Sequence, residues 1–164
     1  MELSINTIAR IIIMGIGATA IMDLWLILLK KLNAPTLNFA FLGRWVGHVI
    51  KGQWFHPAIS KTAPIKGELA LGWYTHYGIG ILFSILLIPI TGTAWLYSPT
   101  LLPALLVALI TVTAPFLVLQ PTIGAGIASN KTLTPLRNCL KSIINHLLFG
   151  GGLHIAAWLI NIST

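Results

Sequence analysis

Four long apolar runs separated by polar stretches set the pattern of the chain. A nearly uncharged run of about 18 residues or more crosses roughly 30 Å of hydrocarbon as a helix, and residues 8–29, 69–90, 101–119 and 142–161 qualify. Lys30 and Lys31 close the first run, and Pro99 and Pro121 bracket the third, where Pro115 predicts a kink. The runs are too long, and alternate too little, for a membrane barrel. The predicted fold class is an all-α membrane protein with four transmembrane helices in an antiparallel bundle, a single integral membrane domain over residues 1–164. Arg10 with Ala18-Thr19-Ala20 imitates a signal peptide and its cleavage site. The apolar run continues through Leu24-Trp25-Leu26-Ile27-Leu28-Leu29 to the Lys pair, as a retained span does.

The stretch from Asn33 to Gly67 is too long for a bare connection. Leu37, Phe41, Leu42, Trp45, Val46 and Val49 recur at helical spacing, with Arg44, Gly47, His48 and Lys51 on the opposite stripe. This predicts an amphipathic helix over residues 36–51, N-capped by Thr36 after Pro35, lying on the inner membrane face or packed under the bundle. Residues 53–66 read as irregular loop.

Composition agrees with membrane insertion. The chain is 56% hydrophobic and 8% charged, with mean hydropathy +0.89, whereas soluble domains carry roughly 25% charged residues. Ten Lys and Arg against three acids give +7, and in a soluble protein that excess would suggest nucleic acid. Here the basic residues flank spans and face anionic lipid, so the expected partner is the lipid bilayer and no nucleic acid. Lys30, Lys31, Arg44, Lys51, Lys61 and Lys66 lie between the first two spans, and Lys131, Arg137 and Lys141 between the last two; only Arg10 lies opposite. By the positive-inside rule both long loops are cytoplasmic and both termini outside. Trp95, Tyr97 and Trp158 then mark the outer interface, and Trp73, Tyr74 and Tyr77 the inner one. The single cysteine, Cys139, excludes an intramolecular disulfide and reads as a packing residue.

The candidate chemistry lies in residues that hydrocarbon excludes. Asp23 falls about 10 Å inside the cytoplasmic end of the first span and His76 about 12 Å inside the second, at 1.5 Å per residue. His146 and Gln120 lie toward the same side of spans four and three. Rows four residues apart run through Gly15, Thr19 and Asp23, through Glu68, Gly72, His76, Gly80 and Ser84, and through Ser142, His146, Gly150 and His154. Each row gathers small and polar residues on one helix face, where helices approach closely; Thr113 and Gln120 share a face of span three. Asp23 finds a partner in His76, His146 or Arg44, and the group forms either a site or a register-fixing network. Asp23, His76 and His146 would make a two-His, one-carboxylate metal set, with Glu68 or His48 nearby, although no close-spaced ligand motif occurs. His76 or His146 oriented by Asp23 would suit a general base, but no activated nucleophile accompanies them. His154 and His56 fall outside the layer. Gly124-Ala125-Gly126 is too short for a phosphate loop.

The runs Gly17-Ala18-Thr19 to Met22-Asp23-Leu24-Trp25, Leu37-Asn38 to Gly43-Arg44-Trp45 with Gly47-His48, and Gly67-Glu68 to Leu71-Gly72-Trp73 with His76-Tyr77 and Gly80 form an ordered motif series. Pro99-Thr100-Leu101-Leu102-Pro103-Ala104-Leu105, Ala114-Pro115-Phe116, Gln120-Pro121 with Gly124 and Gly126, and His146 with Phe149-Gly150 continue it. Over nearly its whole length the chain resembles a family of small bacterial membrane proteins catalogued only as a domain of unknown function. It departs from that pattern at Thr36, where serine is expected, and at Leu119, where methionine is common. The resemblance implies a bacterial inner-membrane location and a four-helix domain, and supplies no activity, cofactor or catalytic assignment.

The expected function is a cytoplasm-facing polar cavity binding a small polar molecule, ion or lipid headgroup. Asp23 supplies the buried charge, His76 and His146 proton or ligand partners, Gln120 and Asn38 hydrogen bonds, and Arg44 and His48 a lid, with Glu68 alongside. The alternatives are a membrane-embedded enzyme acting on a lipid or quinone, and a non-catalytic helical subunit of a membrane complex. Four spans also leave room for a homo-oligomer or a membrane-complex partner.

Overall fold

A computed structural model describes residues 4–34 and 36–163. Every regular element among them is helical: α1 (Ile5–Lys31), α2 (Phe39–Val49), α3 (Glu68–Ile85), α4 (Leu87–Thr91), α5 (Leu101–Thr111), α6 (Gln120–Thr122) and α7 (Pro135–Ser163), with short 3-10 turns between them. Four stretches are long and apolar enough to cross a membrane: Ile5–Lys31, Glu68–Thr91, Leu101–Thr122 and Pro135–Ser163. All four predicted runs are therefore helical, with shifted ends.

Local chemistry explains the shifts. Ser4 starts α1 by accepting a hydrogen bond from the Thr7 amide at 3.2 Å, three residues before the expected start. The helix then runs unbroken through Ala18-Thr19-Ala20 to the Lys pair that closes it. The second span is interrupted at Leu86, where the following helix begins. Pro89 has no amide for the Ile85 carbonyl, and its ring crowds that group. Pro115 acts similarly in the third span. The chain forms a π-type turn over Pro115–Leu119, the Gln120 amide reaching the Pro115 carbonyl, and helix resumes to Thr122. This wider turn changes the helical register, so Thr113 is exposed and Gln120 buried rather than both lying on one face. α7 begins at Pro135, whose fixed φ and missing amide suit a first helical position. At about 1.5 Å per residue its 29 residues span roughly 43 Å, more than the hydrocarbon alone requires.

The chain divides into two compact units. The first comprises residues 1–36, 77–110 and 145–164. It holds a core in which Met14, Ala18, Leu87, Val107 and Leu153 are fully enclosed. Small residues set its helix spacing. A Cβ on Gly15 would lie 2.8 Å from the Ile81 Cα, one on Gly152 2.9 Å from the Ala18 Cα, and one on Gly150 2.7 Å from the Ala104 carbonyl oxygen. Gly15 and Gly150, which stand on predicted rows, therefore face neighbouring helices within this unit. Ser84, wholly buried, donates to the Ile11 carbonyl at 3.0 Å. Arg10, read above only as a lone charge on the outer side, is buried; it donates to Asn161 Oδ1 at 2.8 Å and stacks on the Tyr97 ring. Trp95 is not an interface marker. It lies in the core and donates to the Thr100 carbonyl at 3.2 Å.

The second unit comprises residues 37–76 and 111–144. Its amphipathic helix exists, but it begins at Phe39 and is capped by Asn38, whose side chain accepts from the Ala40 amide at 3.0 Å. Thr36 is not the cap, and Pro35 lies outside the described residues. α2 meets the first turns of α3 backbone to backbone: a Cβ on Gly43 would strike the Glu68 carbonyl, and one on Gly72 the Phe39 carbonyl. This puts Arg44, Gly47 and His48 on the buried side of α2 and leaves Phe41, Trp45, Val46 and Val49 partly exposed. Of the polar stripe, Arg44, Gly47 and His48 face into the protein beside Leu42 of the apolar stripe, while Lys51 is exposed. Residues 53–66 cover that stripe and are folded, with His56 and Ile59 buried. The His56 amide donates to the Thr122 carbonyl at 2.8 Å and the Ile59 amide to the Ile123 carbonyl at 3.1 Å, joining this loop to the end of the third span. Gly124 has φ 93°, and a side chain there would enter the Pro57 carbonyl.

Candidate functional site

The predicted site residues fall in both units. Asp23 and His146 belong to the first; Asn38, Arg44, His48, Glu68, His76 and Gln120 belong to the second.

In the first unit Asp23 is buried, and the Tyr77 hydroxyl donates to its Oδ2 at 2.9 Å. Tyr77, expected at the inner interface, instead turns toward this carboxylate. A buried carboxyl group needs hydrogen-bond partners, and the sequence carried no signal for this one because the two residues lie 54 positions apart. His146 packs beside the Phe83 ring at 5.9 Å between centroids and hydrogen-bonds the Ala108 backbone.

Polar groups are denser in the second unit. Arg44 donates to both Glu68 oxygens, at 2.8 Å from Nε and 2.7 Å from Nη2. Its Nη1 donates to the carbonyls of Ile59 at 3.2 Å and Thr62 at 2.9 Å. Glu68 Oε2 also accepts from the Ile65 amide at 3.1 Å. The hydrogen bonds to Glu68 hold the Arg44 pKa above its ordinary value. A guanidinium committed to a two-pronged carboxylate and two carbonyls fastens the loop to α2 and α3. Arg44, expected as part of a lid, is thus a clasp between the loop and these helices. His48 is buried too; its Nε2 donates to the Ala63 carbonyl at 3.0 Å, and its Nδ1 lies 2.9 Å from Gln53 Oε1. His76 is buried against Phe39 and Trp73, with ring centroids 4.4 and 5.9 Å away. Asn38 is exposed, and its observed role is the helix cap.

His56, set aside as a loop residue, is the histidine that sequence reasoning missed. Its ring meets that of His48 edge to face, 5.1 Å between centroids. Thr62 spends its single hydroxyl proton on the Ala58 carbonyl at 3.1 Å. The 3.3 Å contact between Thr62 Oγ1 and His56 Nδ1 is then donated by the ring, and in a ring carrying that single proton Nε2 is an acceptor. That Nε2 is buried without a hydrogen-bond partner. Gln120 stands in the same condition: its Nε2 donates to Ser142 Oγ at 3.4 Å, while its Oε1 is buried with no partner. In the first unit Trp25 Nε1 and His154 Nδ1 are likewise buried and unpartnered. Cys139 is half-buried, with Sγ 3.0 Å from the Ala128 carbonyl oxygen.

Among the described residues, no group of three or more His, Cys, Asp or Glu side chains is placed to hold a metal ion. Of the two-His, one-carboxylate set considered from the sequence, Asp23 and His146 lie in the first unit and His76 in the second.

A family model described as "Protein of unknown function (DUF2938)" matches residues 12–160. The chain belongs to this family. The match covers both units and all the site residues above, and it brings no activity with it. No curated protein and no solved structure matches the chain.

Proposed function

We propose that this DUF2938 member is a four-span bacterial inner-membrane protein that binds a small polar ligand in its second unit, with both long loops cytoplasmic and both termini outside. One observation carries the reading: the unit holds two buried acceptors, Gln120 Oε1 and His56 Nε2, neither hydrogen-bonded. They lie on segments tied to each other by the hydrogen bond from the His56 amide to the Thr122 carbonyl. Leaving a buried polar group unsatisfied costs about 1–3 kcal/mol, so a group retained in that state favours a bound donor. Two acceptors select a ligand that presents N–H or O–H groups: an ammonium, an amide, or the hydroxyls of a headgroup. The proline-driven π-type turn beside Gln120 adds support, since such turns recur at functional sites.

Gln120→Leu tests the reading, because it removes the side-chain amide, oxygen and nitrogen together, with little change of volume. With a donor bound at Gln120, the variant loses the ligand and is less stable than wild type in membranes. If Gln120 is only a packing residue, Leu relieves an unsatisfied acceptor and the variant is as stable or more so, by up to about 1–3 kcal/mol.

A further inference from the structure

We propose that the turn Ile50–Phe55, together with the outward face of α2, is a membrane anchor that inserts into an anionic lipid leaflet beside the second span. The turn lies outside the four candidate spans, yet Ile50, Trp54 and Phe55 are 75%, 54% and 76% exposed. It is also well fastened. The Lys51 and Gln53 amides donate to the His48 carbonyl at 2.9 and 3.0 Å, and Trp45 Nε1 donates to the Trp54 carbonyl at 3.0 Å. Three large apolar side chains are thus held outward on an ordered backbone rather than on a strand of loose loop.

Their level relative to the second span follows from the glycine contact. Gly43 of α2 abuts the Glu68 carbonyl and Gly72 amide, which belong to the first four-residue rise of that span, about 6 Å along its axis at 1.5 Å per residue. Interfacial helices bury their apolar face about 5–10 Å into the headgroup and acyl boundary. α2 therefore sits where the span enters the membrane, and Leu69 and Tyr74, exposed on the same turns of α3, share that level. The buried side of α2 is occupied by Arg44 and His48, which turns Phe41, Trp45 and Val49 toward the outside. Charge decides the occupant. Lys51 adjoins the apolar turn, and exposed Lys61 and Lys66 lie in the same unit, a mixture of aromatic and cationic groups that suits anionic headgroups over acyl chains.

The test places one fluorescent probe at Phe55→Cys in a Cys139→Ser background, with Lys61→Cys as the control. The protein is reconstituted into vesicles of phosphatidylethanolamine and phosphatidylglycerol. The expected result at position 55 is a blue-shifted emission, quenching by a lipid nitroxide near the headgroup, and iodide quenching several-fold lower than at position 61. Replacing phosphatidylglycerol with phosphatidylcholine should shift position 55 toward higher iodide access. Equal iodide access at both positions, with no lipid quenching, would overturn the proposal. So would disulfide-linked dimers of the unlabelled Phe55→Cys protein together with iodide protection that persists without lipid, since the face would then cover a second copy of the chain.

Discussion

Arg44→Ala probes the clasp that fixes the second unit. The side chain makes four hydrogen bonds, two to Glu68 and two to the Ile59 and Thr62 carbonyls. Hydrogen bonds to charged groups contribute roughly 1.5–3 kcal/mol each and are not additive. Breaking a fully buried pair costs about 3–5 kcal/mol, but here the two side chains are 10% and 17% exposed, so solvent screens part of the interaction. We expect Arg44→Ala to destabilise by about 3 kcal/mol, because Glu68 and two carbonyls lose their donor together. Glu68→Ala should cost less, about 2 kcal/mol, since Arg44 keeps its two carbonyls. Unfolding of the singles and the double variant in detergent micelles, followed by circular dichroism, gives the coupling, expected at about 1–2 kcal/mol. Trypsin supplies a local readout: cleavage at Lys61 and Lys66 should accelerate in Arg44→Ala before global unfolding. Additive single effects, or unchanged cleavage at those lysines, would refute the reasoning.

Other predictions rest on different contacts. Gly43→Ala drives a Cβ into the Glu68 carbonyl and should destabilise despite better helix propensity, whereas Gly78→Ala, where nothing lies within 4 Å, should stabilise by up to about 1 kcal/mol; thermal melts of the pair check both. Tyr77→Phe removes the hydroxyl from the buried Asp23 carboxylate and should cost about 1–3 kcal/mol. Adding Asp23→Asn to Tyr77→Phe should recover part of that loss, since the amide brings donors of its own, and a double variant less stable than Tyr77→Phe would contradict this. A C-terminal reporter active only in the cytoplasm should be silent, and one inserted at Lys61 should be active.

The four long apolar helices were legible because hydrophobic length is a local property. So was the small-residue face, since a four-residue period brings Gly15, Gly80 and Gly150 to helix contacts within the first unit. Proline signals were visible, but their consequence was not: a π-type turn at Pro115 rotates everything after it, separating Thr113 from the face of Gln120. Periodicity showed that α2 has two faces without saying which is inside. Here Arg44, Gly47 and His48 of the polar face are buried, with Phe39 and Leu42 beside them. His56 and Tyr77 were missed because their partners lie elsewhere in the chain, at Thr122 for the loop backbone and at Asp23 for the phenol. Thr36 was expected to cap α2, but Asn38 two residues later does so and the helix begins after it.

Native mass spectrometry of the protein released from membranes in mild detergent, wild type beside Gln120→Leu, tests the ligand-binding claim most directly. The account predicts a small polar adduct on the wild type that is missing from the folded variant. A wild type with no adduct, or the same adduct on both proteins, would contradict it.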